Sequence, residues 1–172
     1  MIGRIIFFIF LILQPFIGNA ITSKFFNSNL NSKNREWYSK LKQSPLTPPP
    51  IVFPIVWTIL YILLGLSAYF YYSAVVALKR PATFEKLFLI EYLPVYEIQL
   101  LLNYIWSIVF FYFKKPIISL VIVFLMIGLT IYLLWKSWTV NAIAFWVLIP
   151  YALWIAFATY LNFHIVLKNK NT

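Results

Sequence analysis

The chain has 172 residues, 63% hydrophobic and only 10% charged, where an ordinary soluble domain carries about 25% charged residues. Together with a mean hydropathy of +0.85, that balance reads as an all-α membrane protein. With no cysteine and a single histidine, His164, the chain lacks disulfides, a thiolate nucleophile and the clustered ligands of a metal site, so no metal, cofactor or catalytic residue is expected.

The net charge of +10 is spread over short connections between apolar runs. Phosphate binding needs a contiguous basic face, so nucleic acid is not expected as a partner. In chain order, residues 5–21 form an apolar stretch after Arg4, with a small-residue end at Gly18-Asn19-Ala20. That layout fits a cleaved signal peptide or a first membrane helix equally well. Residues 22–50 are polar and basic and cannot cross lipid, so they are expected as a long loop at the membrane surface.

Five of the ten prolines lie between Ser44 and Tyr61. The run Pro48-Pro49-Pro50 cannot be helix interior and predicts a stiff extended segment; Pro54 then falls in the first turn of the next helix, where a missing N–H is harmless. That helix is predicted over 51–77, with Gly65 and Ala68 offering a smooth patch for close packing. A third span over 87–113 carries Glu91, Glu97, Gln99 and Asn103 within its apolar run, and polar groups in hydrocarbon need partners. Spans over 117–135 and 142–167 complete the set, the last with Pro150 inside it. Gly128, Ala156 and Ala158 are further expected contact points between helices.

The expected fold is therefore a five-transmembrane-helix bundle, a single domain over 1–172. Counting Lys and Arg puts nine on the side of the first loop, the third loop and the C-terminus and five on the other, so the C-terminus is predicted to face the cytoplasm. No internal repeat of the transporter kind is visible.

Helical spacing gathers three stripes: Trp57 and Tyr61; Gln99, Asn103 and Trp106; Trp154, Ala158 and Asn162. Converging, they would form a pocket for a flat aromatic ligand; apart, they are ordinary membrane packing and interfacial tryptophan.

Three motifs carry a resemblance. WYSKLKQSPLTPPPIVFPIVWTILY (37–61), QLLLNYIWSIVFF (99–111) and PYALWIAFATYLN (150–162) resemble, in order and spacing, the signatures of the translocator protein family (TspO/MBR, peripheral benzodiazepine receptor-like). The resemblance implies that the N-terminal helix is retained and that the first loop closes a cavity like a lid. It also implies that positions matching Trp57, Tyr61, Asn103, Trp106, Trp154 and Ala158 line a site for porphyrins and benzodiazepine-like drugs. Ile51 and Ile118 stand where relatives carry aromatic residues, which bears on drug affinity. The sterol motif is incomplete, with Phe163 in place of tyrosine between Leu161 and Lys168, so sterol is not expected.

The resulting reading is a receptor or transporter-like protein of a bacterial cell membrane rather than a mitochondrial outer membrane, binding porphyrins and similar ligands. Its alternatives are a light-dependent porphyrin-degrading enzyme and a membrane scaffold without transport. Homodimers occur in the family, but the third span has no glycine and no small-residue stripe to support one. Glu97 is either a proton relay or a carboxylate reaching water, and His164 an interfacial polar residue.

Overall fold

The computed structural model describes residues 2–25, 28–77 and 88–169. Six α-helices follow one another: α1 (Ile2–Phe25), α2 (Ser28–Lys40), α3 (Val52–Ala77), α4 (Leu93–Ser107), α5 (Pro116–Val140) and α6 (Ala142–Lys168). π-helical turns at Phe88–Tyr92 and Ile108–Tyr112 flank α4. No strand occurs among the described residues. The expected loop cations Lys79, Arg80 and Lys86, the acid Glu85 and the terminal Lys170 lie outside them.

Four helices are long and apolar enough to cross a bilayer, Val52–Ala77, Leu93–Tyr112, Pro116–Val140 and Ala142–Lys168, and α1 holds a shorter apolar stretch, Ile6–Gly18. Large apolar side chains such as Ile59, Ile98, Val121, Phe124 and Leu153 lie on the outer surface. Such an exposed apolar belt is unstable in water and suited to lipid.

The boundaries follow from local chemistry. Pro116 starts α5, where a helix has no use for the missing N–H. A single residue separates α5 from α6, and Asn141 there accepts from Ile143 N at 2.8 Å and Ala144 N at 3.2 Å, capping α6. Its amide also donates to Phe70 O at 3.3 Å, tying the cap to the end of α3.

Small residues let α3 approach two neighbours. Ser67 Oγ donates to Ala144 O on α6 at 2.7 Å. At Gly65, an added Cβ would lie 2.7 Å from Leu11 O and 3.0 Å from Ile12 Cα of α1, so no larger residue fits. The other expected contact points differ: Gly128 has nothing within 4 Å of an added Cβ, and Ala156 is exposed. Both sit on lipid-facing surface, where smallness serves no packing.

Pro15 lies inside α1 and removes the N–H that would have bonded Leu11 C=O. Tyr96 OH supplies the missing donor, at 2.8 Å from Leu11 O. Tyr104 OH donates to Pro15 O at 3.1 Å, and Gln14 donates to Glu97. Of the polar groups expected in the third span, Glu97 thus finds its partner on α1, while Glu91 pairs with Lys136 of α5. At the end away from α2, Tyr71 and Tyr92 stack at 4.1 Å with Phe88 beside them, and Tyr92 is wholly buried. This aromatic plug closes the bundle at that end.

Candidate functional site: an aromatic cavity under a lid

The site lies at the opposite end, where α3 begins and α4 finishes. Trp57 and Tyr61, one turn apart, place their rings 5.5 Å from each other. Phe16 of α1 meets Tyr61 edge-on at 5.8 Å. Together with Asn103, Tyr104 and Trp106 of α4 they enclose a cavity of about 150 Å³.

The wall is mostly aromatic, with its polar groups already oriented. Tyr61 OH donates to Asn103 Oδ1 at 2.9 Å, which fixes the amide. Asn103 Nδ2 and Trp106 Nε1 are buried with no hydrogen-bond partner, and an unpaired buried N–H costs about 1–3 kcal/mol. Both atoms are shielded from the cavity space, so the surface offered to a ligand is mainly aromatic.

An aromatic column joins the cavity to the first loop. Trp106 stacks on Phe110 at 5.2 Å, and Phe110 meets Trp37 of α2 at 5.6 Å and Tyr38 at 6.1 Å. The π-helical turn adds a residue to the helical repeat, and within it the consecutive rings of Phe110 and Phe111 both meet Tyr38. Burial there pushes the Tyr38 phenol above its ordinary range. Further along, Lys42 N donates to Asn169 Oδ1 at 2.9 Å, and Ser44 Oγ lies 3.1 Å from Tyr160 OH, strapping the segment to the end of α6.

Four of the eight predicted site residues, Trp57, Tyr61, Asn103 and Trp106, come together on this cavity. Trp154 lies elsewhere, in an open groove of about 390 Å³ between α3 and α6 with Val56, Leu60 and Phe157. Gln99 and Asn162 line neither. Gln99 is fully buried below the cavity, where Nε2 donates to Thr130 Oγ1 at 3.1 Å and Tyr151 OH at 2.8 Å, bracing α4 against α5 and α6.

Asn162 clasps the start of α5: with its amide oriented to satisfy both sides, Oδ1 accepts from Leu120 N at 2.9 Å and Nδ2 donates to Pro116 O at 3.3 Å. Ala158 is half-buried on α6 and lines neither cavity nor groove. His164 is half-buried beside Tyr160, and its Nδ1 has no partner. Five wall residues, Phe16, Pro54, Thr58, Tyr104 and Ser107, escape the predicted site. Tyr104 stands seven residues after Glu97, a spacing that marks the α4 face turned to α1, and Phe16 follows the helix-breaking Pro15.

Fold and site define a multi-pass integral membrane protein with an aromatic cavity between α1, α3 and α4. The chain belongs to the TspO/MBR family, whose sequence profile matches residues 11–167. It is 34% identical over 155 residues to the tryptophan-rich protein TspO of Chlorobaculum tepidum, covering 89% of this chain and 92% of that one. Against the tryptophan-rich sensory protein of Cereibacter sphaeroides it is 32% identical over 139 residues, 81% and 80% of the two chains. Against the human translocator protein it is 28% identical over 151 residues, 88% and 83% of the two chains.

Proposed function

We propose that this protein binds porphyrins and other hydrophobic aromatic ligands in the cavity between α1, α3 and α4, as a receptor or transporter-like protein of a bacterial cell membrane. In this reading α1 is the fifth membrane span. The observation that carries it is the aromatic wall of the cavity, built by Phe16 of α1, Trp57 and Tyr61 of α3, and Tyr104 and Trp106 of α4. Stacking surfaces hold a planar ring in dry surroundings. Relatives named as sensory and translocator proteins support the same reading.

A cavity of about 150 Å³ is smaller than the roughly 300–1,000 Å³ of sites for drug-sized ligands. A macrocycle therefore enters only if the cavity widens.

The test is a dark titration with protoporphyrin IX, followed by porphyrin absorbance, on wild type, Trp57→Phe and Trp154→Phe. Binding near the micromolar range, about −8 kcal/mol, is expected to weaken at least tenfold in Trp57→Phe and little in Trp154→Phe. Equal binding by all three would remove the cavity from the account and favour the scaffold. Porphyrin loss under illumination, abolished by Trp57→Phe, would favour the degrading enzyme.

A further inference from the structure

Six lysines crowd the lid end of the bundle. Lys33, Lys40 and Lys42 are exposed on the lid, Lys114 and Lys115 in the turn between α4 and α5, and Lys168 at the end of α6. The lid contacts bring them together: Lys42 N is bonded to Asn169, next to Lys168, while Lys114 Nζ stands 5.9 Å over the ring of Trp37.

Little opposes this charge. Glu36 is the one described carboxylate at this end, and Lys40 already occupies it at 2.6 Å. The other two described carboxylates are engaged away from it, Glu91 with Lys136 and Glu97 with Gln14. The contacts of the first loop with Asn169 and Lys114 hold cations on three segments near one another. Such self-repulsion opposes the compact arrangement unless anions gather around it.

Lys114, Lys115 and Lys168 stand directly at the ends of helices long enough to cross the bilayer, which is the level of lipid headgroups. We infer that this lysine collar is a binding surface for anionic phospholipid headgroups of the lid-side leaflet, and that headgroup binding holds the lid closed. Charge complementarity selects the partner, because lysines near a membrane surface attract acidic lipids within a Debye length. The inference does not depend on what the cavity binds.

The protein is reconstituted in vesicles of phosphatidylcholine or of an equimolar mixture with phosphatidylglycerol. Two readouts are taken: motional restriction of spin-labelled phosphatidylglycerol against spin-labelled phosphatidylcholine, and mobility of a nitroxide at Ser39→Cys, an exposed lid position in a chain free of cysteine. The expected selectivity for phosphatidylglycerol is at least about threefold, with the lid label slower in the mixed vesicles. Both effects should vanish when the six lysines are replaced by Gln.

Wild type in about 1 M salt, where charges are screened beyond roughly 3 Å, should behave like that variant, a check that needs no substitution at the collar. Equal restriction of the two lipids in wild type, or a preference that survives both the Gln variant and high salt, overturns the inference. So does a lid label indifferent to the leaflet's charge.

Discussion

A glycine matters where another backbone comes within reach of its missing side chain, and two glycines here sit at opposite extremes. At Gly65 an added methyl would press on Leu11 O at 2.7 Å, while Gly128 meets nothing within 4 Å. Gly65→Ala is expected to push α1 off α3 and cost about 1–3 kcal/mol, whereas Gly128→Ala should be neutral or stabilising by up to roughly 1 kcal/mol through helix propensity. Thermal unfolding in detergent checks the pair, and equal losses would mean that α1 does not dock through Gly65. Both glycines look alike in the sequence, since each interrupts an apolar run, and only the partner helix distinguishes them. Asn162 teaches the same lesson: its spacing from Trp154 suggested a ligand stripe, but the amide clasps the first turn of α5. Asn162→Ala should lower stability by about 1–2 kcal/mol, the usual cost of a lost cap, and leave porphyrin affinity intact; a loss of affinity at unchanged stability would return the residue to the site.

At the scale of elements, hydrophobic length was enough to mark the spanning helices, and proline marked where α3 begins. Two features were not legible. Helix α2 is rich in Asn and Ser, poor helix formers, and the aromatic contacts of Trp37 and Tyr38 with Phe110 and Phe111 are what the structure adds. The partners of Tyr96, Glu97 and Tyr104 were equally hidden, because α1 read as a leader as readily as a helix. In the structure Pro15 frees Leu11 C=O, and Tyr96 OH takes it. Tyr96→Phe leaves that buried carbonyl unpaired, so a loss of about 1–3 kcal/mol is expected. Faster hydrogen exchange confined to α1 would locate the effect, and unchanged exchange there would mean that the carbonyl finds another donor.

For the molecule as a whole, the two ends have different work. The far end is shut by stacked Tyr71, Tyr92 and Phe88, while the lid end rests on a few rings and two polar straps. A ligand exchanging through the lid must break those contacts first. Trp37 touches Phe110 but does not line the cavity, so Trp37→Ala weakens the lid without removing a ligand contact. Losing one aromatic pair costs about 0.5–1.5 kcal/mol, which corresponds to an open population larger by roughly twofold to tenfold. Association and dissociation of protoporphyrin IX should both speed up by that factor in stopped-flow measurements, leaving Kd nearly unchanged, because the lid opens more often whether or not the cavity is filled. Were only dissociation to speed up, Trp37 would be a ligand contact and the lid part of the site; were neither to change, exchange would run through the bundle wall.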